Sequence, residues 1–223
     1  MTLQALIPAW QAAGTVGAVV EETARIVSSV LVVDDGSTDD TAGAAKAAGA
    51  RVLRLASHRG KGAALRAGFE RALSLGCEAV VTLDADGQHE PAEIARLLEC
   101  WRRTSAVLVI GSRAHLEEGM SPGRRFGNRF ARRALSFFSG IDVSDTQSGF
   151  RLYDAALLRA IRLRGEGYEM ESEVIVRTAR AGMIVACTPV RMRRVAGEGT
   201  SHFRPWRDTA RICLAVLRTR YVG

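Results

Sequence analysis

Short, continuously apolar runs alternate with stretches of helical spacing over the first half of the chain. Leu3 to Ile7, Val30 to Val33, Val52 to Leu55, Ala79 to Leu83 and Val107 to Ile110 read as strands, and residues 15–28, 39–49, 61–76 and 91–103 as the helices between them. Uninterrupted apolar strands separated by helices predict a parallel sheet covered on both faces by right-handed crossovers. In such a sheet, ligands bind beyond the carboxyl ends of the strands. The polar clusters fall at those ends: Pro8-Ala9-Trp10 after the first strand, Asp34-Asp35-Gly36-Ser37 after the second, Asp84-Ala85-Asp86 after the fourth and Gly111-Ser112-Arg113 after the fifth. Four clusters therefore converge on one rim.

The alternation stops at Arg113. Gly119 to Gly123 reads as a loop, 124–138 as a helix and Asp142 to Tyr153 as a glycine-bearing segment. Helical patterns at 154–162 and 169–181, a strand near 184–193, a polar loop at 196–205 and a last helix follow. No internal repeat or low-complexity linker interrupts the 223 residues, so the pattern predicts one α/β unit with a nucleotide-binding front (1–113) and an elaborated back (114–223). With 47% hydrophobic and 25% charged residues, a mainly disordered, collagenous or fibrous chain is excluded. Cys77, Cys100, Cys187 and Cys213 are widely spaced with no C-x-x-C, which suggests neither zinc nor a disulfide framework and fits a reducing cytosol. No run approaches the roughly 18 apolar residues of a membrane span, so the expectation is a soluble or peripheral protein.

Charge is distributed unevenly. Residues 1–110 carry 11 Lys and Arg against 13 Asp and Glu, whereas residues 111–223 carry 20 against 11, a net of −2 followed by +9. A basic second half suits phosphates, an anionic membrane surface or nucleic acid. Nucleic-acid binders commonly interleave aromatic stacking platforms with their basic residues. Here Phe126, Phe130, Phe137 and Phe138 have helical spacing instead, so no nucleic acid is expected.

Each rim motif admits a structural and a chemical reading. Asp84 and Asp86, one residue apart at a strand end, can reach one cation together, and Gln88 can add a neutral oxygen; such hard ligands suit Mg²⁺ or Mn²⁺. The alternative, a solvated turn before Pro91, is weakened by the position on the rim. In Asp34 to Asp39, Gly36 supplies a turn and Ser37, Thr38 or Asp39 can cap the next helix. Two adjacent acids exceed what capping needs, which leaves Asp35 to accept hydrogen bonds from a nucleobase or ribose. Gly60-Lys61-Gly62 opens a helix whose amides and lysine suit a diphosphate, or is simply a helix start. Arg113 ends a strand on the rim, where a guanidinium can clamp phosphate. Glu169, Glu171 and Glu173 read as exposed or acceptor-lobe residues.

In order along the chain, Pro8-Ala9-Trp10, Val32-Val33-Asp34-Asp35-Gly36-Ser37-Thr38-Asp39, Gly60-Lys61-Gly62-Ala63-Ala64, Asp84-Ala85-Asp86-Gly87-Gln88-His89, Gly111-Ser112-Arg113 and Asp145-Thr146-Gln147-Ser148-Gly149-Phe150 resemble a family 2 glycosyltransferase of the GT-A fold, of the polyprenyl-phosphate (dolichol-phosphate) mannosyl- or glucosyltransferase type. The likeness runs from about residue 3 to 195. It implies that Pro8, Ala9, Trp10, Asp35, Lys61, Asp84 and Ala85 line the nucleotide-sugar site, and that Asp84, Asp86 and Gln88 hold Mg²⁺ or Mn²⁺. Arg113, Arg124 and Asn128 would then meet the acceptor phosphate. Apart from the resemblance, His202 in the polar loop at 196–205 can close over the diphosphate, or is a surface or packing residue. The chain departs from the family pattern in three places: P-x-Y-N-E reads Pro8-Ala9-Trp10-Gln11-Ala12, His58 replaces the Asn of N-x-G-K-G, and Asn128 replaces a serine.

The resemblance implies an inverting, metal-dependent transfer of a hexose from a GDP-mannose or UDP-glucose type donor to a polyprenyl phosphate, at the cytoplasmic face of the membrane. Expulsion of a nucleoside diphosphate builds negative charge that a divalent ion stabilises. A lipid monophosphate, with a second pKa near ~6, is ionised at neutral pH and needs no general base. Two other readings stay open: a hydroxyl acceptor with Asp145 as base, depending on Asp145 and indifferent to Arg113, and a catalytically idle scaffold. Asp145 also fits an Asx-type turn residue before Gly149. Between Arg124 and Ile141, apolar residues recur at steps of three and four with Arg125, Arg129, Arg132 and Arg133 on the other side. This basic amphipathic helix suits an anionic membrane surface, and equally a helix packed on the sheet.

Overall fold

A computed structural model describes residues 2–113, 143–193 and 219. Seven described strands form one sheet in the order β3-β2-β1-β4-β6-β5-β7. Five of them realise the apolar runs: β1 (Leu3–Ala9), β2 (Val30–Asp34), β3 (Arg51–Arg54), β4 (Ala79–Thr82) and β5 (Leu108–Ser112). They pair in parallel wherever they are neighbours. β7 (Val185–Pro189) joins β5 in parallel at one edge. The helices are α1 (Val16–Ala24), α2 (Thr41–Ala47), α3 (Lys61–Ser74), α4 (Ile94–Thr104) after a 3₁₀ turn at Pro91–Glu93, α5 (Ala155–Ala160) and α6 (Glu169–Arg180).

Strand alternation explains why both faces are covered. Ala5, Ile7, Val30, Val32, Ala79, Val81 and Val109 point to one side, where Val16 and Val20 of α1, Ala45 of α2 and Ile94 and Leu97 of α4 pack on them. Leu6, Leu31, Val33, Val80, Leu108 and Ile110 point to the other side and meet Leu65 and Phe69 of α3, Leu157 of α5 and Val174 of α6. A strand buried on both faces has no polar positions to alternate with, hence the continuous apolar runs.

β1 extends two residues beyond the predicted run, through Pro8 and Ala9, in register with Val33 and Asp34 of β2. Its pairing with β4 ends at Leu6 opposite Thr82. Pro8, which has no N–H to give a ladder, thus sits where β1 has outrun its other neighbour.

The end of the glycine-bearing segment, to which the pattern assigns no strand, contributes β6 (Arg151–Asp154). It is antiparallel to both its neighbours and wedged between β4 and β5. The strand is only four residues long and starts on a charge, so periodicity does not reveal it. Arg151 is fully buried. Its guanidinium donates from Nε to the Ser148 carbonyl at 2.6 Å, from Nη2 to that of Thr146 at 2.9 Å and from Nη1 to that of Glu171 at 2.6 Å. A buried cation is tolerable when its donors are satisfied, and here they organise the loop before β6 and the start of α6 together.

Replacing Arg151 with Met leaves those three buried carbonyls without their donor. Arg151→Met is expected to lower unfolding stability by about 3 kcal/mol, read from urea denaturation, with faster amide exchange in residues 145–149.

Candidate active site

The turn at the end of β4 presents its acids by continuing the strand's alternation. Leu83 and Ala85 are buried, while Asp84 and Asp86 both lie on the partly accessible side. Gly87 takes a positive φ of 76°, and the Gln88 amide donates to Asp86 Oδ1 at 3.0 Å, which closes the turn. His89 is buried and its Nδ1 accepts the Asp84 amide at 3.0 Å, while its ring stacks on Phe150 at 5.1 Å between centroids. Burial pushes the His89 pKa down against the pull of Asp84 and Asp86, so the ring is the neutral tautomer with its proton on Nε2. His89, present in the sequence motif but assigned no role there, is what orients the backbone of the acid turn.

Lys61, the first residue of α3, reaches across to this turn. Its Nζ lies 2.6 Å from Asp84 Oδ1 and 2.9 Å from Glu171 Oε1. Burial works against ionisation of both Asp84 and Lys61, but the attraction between them outweighs it. The carboxyl is held well below its usual range, and the ammonium well above its own with help from Glu171. Gly149 packs its backbone directly on the pair: a Cβ there would stand 2.7 Å from both Asp84 Oδ2 and Lys61 Nζ. Glu171 and Glu173 are both buried, contrary to the expectation of exposure. Glu173 accepts from the amides of Arg164 and Gly165 and pairs with Arg177, so it shapes the loop before α6.

At the Gly60-Lys61-Gly62 helix start, the Gly60 amide donates to Asp35 and the Ala63 amide to the Glu166 carbonyl, the latter at 3.1 Å. A Cβ on Gly62 would come within 2.8 Å of the 165–167 backbone. Gly60 and Gly62 serve this close approach.

Asp35 is buried, and its carboxylate folds the loop after β3. Oδ1 accepts from the Arg59 amide at 2.9 Å; Oδ2 accepts from the Gly60 amide at 2.7 Å and lies 2.8 Å from His58 Nδ1. The His58 ring stacks on Trp10 at 4.1 Å, which places Trp10, His58 and Asp35 together at the ends of β1 and β2. Of the three residues expected to cap α2, Asp39 meets its start: Asp39 Oδ1 accepts from the amide of Thr41, the first residue of the helix, at 3.2 Å. All three also bind the turn after β1: Gln11 N donates to Ser37 Oγ at 3.0 Å, Thr38 N to Gln11 Oε1 at 2.8 Å and Ala13 N to Asp39 Oδ2 at 3.0 Å. Gln11, at φ 51°, is the hub of this contact.

Arg113 and Asp145, assigned above to rival readings, form one unit. Nε of Arg113 is 2.8 Å from Asp145 Oδ2 and Nη2 is 3.3 Å from Oδ1, with the Arg113 amide at 3.1 Å from Oδ2. Asp145 Oδ1 also accepts from the Gln147 amide at 3.1 Å, so the Asx-type turn is present as well. Burial raises the Asp145 pKa, but Arg113 overrides it and the net shift is downward. A carboxylate held this acidic and bound at both oxygens is a weak proton acceptor. Arg113 in turn adds to the field that keeps Asp84 ionised.

Residues 190–193, after β7, cross behind the acid turn. Arg193 N donates to the Gln88 carbonyl at 2.9 Å, and its side chain pairs with Glu22 at 2.6 Å. Arg124, Asn128 and His202 lie outside the described residues, as does the 124–141 amphipathic pattern. Among the described residues no helix is long and apolar enough to cross a membrane.

Among the same residues no group of three or more His, Cys, Asp or Glu side chains is gathered to hold a metal. The donors expected from the motif are two carboxylates, Asp84 and Asp86, with the Gln88 side-chain oxygen, and Asp84 is already paired with the Lys61 ammonium. That fits Mg²⁺ or Mn²⁺, which are commonly held by one or two carboxylates with the remaining positions filled by water and phosphate.

A mostly parallel sheet with one inserted antiparallel strand and a paired-acid turn on its ligand rim defines the GT-A class of fold. Residues 5–162 match Glycosyl transferase family 2, an enzyme family to which the chain belongs. It is 36% identical over 189 residues to undecaprenyl-phosphate mannosyltransferase of Micrococcus luteus, covering 77% of this chain and 74% of that one. To glycosyltransferase AglJ of Haloferax volcanii it is 31% identical over 216 residues, 96% of this chain and 70% of the relative. Among solved structures, glucosyl-3-phosphoglycerate synthase of Mycobacterium tuberculosis in complex with Mn²⁺, UDP and phosphoglyceric acid superposes with a TM-score of 0.74 at 23% identity, over 98% of this chain and 76% of that one.

Asp145 provides a pH test. Because its folded pKa lies below the unfolded value of about 3.9, its contribution is present above that value and is lost as pH falls through the folded one. Asp145→Asn is expected to cost about 2 kcal/mol at pH 7. The gap from wild type should narrow below about pH 4 in denaturant titrations repeated from pH 7 to pH 3. A gap that stayed constant with pH would mean the Arg113 pair adds nothing to acid sensitivity.

Proposed function

We propose that this chain transfers a hexose from a nucleotide diphosphate sugar, of the GDP-mannose or UDP-glucose type, to a polyprenyl phosphate. The observation that carries the reading is the placement of two subsites on one rim: Asp84 and Asp86 follow β4 and Arg113 follows β5, strands whose ends both pair with Arg151 of β6. Trp10 and His58, stacked on each other, offer an aromatic face for a nucleoside, and Asp35, whose carboxylate holds the 58–60 loop beside them, helps to position that face. When bound, Mg²⁺ or Mn²⁺ at Asp84 and Asp86 supplies positive charge to the departing nucleoside diphosphate. Lys61 lies beside Asp84 to meet a phosphate oxygen. Gln88 assists through its backbone, which fixes the Asp86 carboxylate.

Arg113 provides the guanidinium for the acceptor phosphate, with Asp145 setting its orientation through the two-point contact. Because a lipid monophosphate is already ionised near pH 7, with a second pKa of about 6, the absence of a free base at Asp145 is no obstacle. Arg124 and Asn128 are the next residues proposed for this subsite. His202 is proposed as a further contact to the donor. The relatedness to undecaprenyl-phosphate mannosyltransferase supports a lipid phosphate acceptor. We place the reaction at the cytoplasmic face of the membrane, with the basic pattern of 124–141 resting on anionic lipid.

The test is a panel of nucleotide sugars with Mg²⁺ or Mn²⁺, offered polyprenyl phosphate in detergent or, separately, phosphoglyceric acid, the ligand bound in the similar solved structure. Transfer to the lipid alone is expected. Asp86→Asn should reduce it by at least about 10²-fold with an unchanged circular dichroism spectrum. Full activity of Asp86→Asn, or of wild type in excess chelator, overturns the metal assignment. Transfer only to phosphoglyceric acid overturns the acceptor.

A further inference from the structure

Resting on the reading of Asp84 and Asp86 as the metal turn, we propose that Lys61 is the resident counter-ion of that turn. Its ammonium occupies Asp84 until a divalent ion and a nucleotide diphosphate arrive together, and Glu171 holds the lysine in reach of both. The site is thereby built to bind metal and nucleotide cooperatively rather than metal alone.

Three features of the site carry this. The Lys61 ammonium lies 2.6 Å from Asp84 Oδ1, a distance at which it satisfies an oxygen that a metal would otherwise use. The same ammonium has a second anchor, Glu171 Oε1 at 2.9 Å, so withdrawing from Asp84 does not leave it unpaired in a buried site. Gly149 closes over the pair with its backbone, which leaves no room for the lysine to retreat on that side. A divalent ion and an ammonium bound to one carboxylate repel each other. Metal alone therefore has to displace the lysine. A diphosphate entering with the metal gives that lysine an anionic partner, and the two ligands assist each other. Linkage makes the assistance reciprocal: the factor by which nucleotide raises metal affinity equals the factor by which metal raises nucleotide affinity.

Removing the positive charge alone would raise affinity for any cation, so the deciding variant removes the pair. Lys61→Met with Glu171→Gln takes out one positive and one negative charge, leaving the net charge of the site unchanged, and avoids leaving Glu171 as a buried unpaired carboxylate while freeing Asp84. Mn²⁺ binding is measured by electron paramagnetic resonance, without nucleotide and with UDP or GDP. The double variant is expected to bind Mn²⁺ alone about tenfold tighter than wild type, and the gain in Mn²⁺ affinity on adding nucleotide should shrink by a similar factor. Unchanged or weaker binding of Mn²⁺ alone by the folded double variant overturns the proposal and makes Lys61 a structural tie.

A second measurement needs no variant at the site. Lys46 and Lys61 are the only lysines of the chain, so isotope-labelled lysine gives two side-chain resonances, assigned with Lys46→Arg. The Lys61 signal should move when Mg²⁺ and nucleotide are added together, and a signal indifferent to them overturns the proposal. Wild type that bound no Mn²⁺ with or without nucleotide would instead overturn the metal reading on which this rests. Tight Mn²⁺ binding that leaves the double variant unaltered would overturn only the role of Lys61.

Discussion

A cation buried against two carboxylates holds the rim of this protein together. Lys61 begins α3, Asp84 ends β4 and Glu171 lies in the first turn of α6, so one ammonium joins three parts of the chain that are far apart in sequence. Desolvating these charges is costly, and only mutual pairing in good geometry offsets it. That requirement propagates outward. Gly149 has to lack a side chain where it covers the pair, Gly62 has to admit the 165–167 backbone, and Arg151 has to hold the carbonyls of residues 146, 148 and 171 from inside the core.

The nucleotide-facing half was legible from hydrophobic pattern because its strands are buried on both faces and its helices present one apolar stripe each. Ile94, Leu97 and Cys100 of α4 recur at helical spacing and all three are buried, so pattern and packing agree. What pattern could not show is where long-range polar contacts decide the structure. β6 opens on Arg151 and closes on Asp154, and nothing local marks a buried arginine whose partners are backbone carbonyls up to twenty residues away. Glu171 and Glu173 look like the exposed acids of an ordinary helix start until Lys61 and Arg177 are brought beside them.

The acids on the rim were legible as a group, although their individual duties differ from the simplest expectation. Asp35 shapes the loop of residues 58–60, and Ser37 to Asp39 fasten one turn to another while Asp39 also meets the first amide of α2. A motif read as ligand-binding thus contains much that supports the backbone around a ligand. Asp145 and Arg113 make the same point: competing chemical roles were assigned to two residues that are bound to each other.

The inserted strand β6 has a consequence for how such a site diversifies. Because it runs antiparallel to β4 and β5, the chain departs from the rim after β5 and re-enters the sheet at that same rim. The two ends of the excursion are fastened there by Ser112 to Ser144, Oγ to Oγ at 2.9 Å, and by Arg113 to Asp145. The described residues on either side of 114–142 are therefore joined by a fixed clasp at the rim. The number of residues between them can change without disturbing a single strand register. Topology thus lets that part of the sequence vary separately from the sheet.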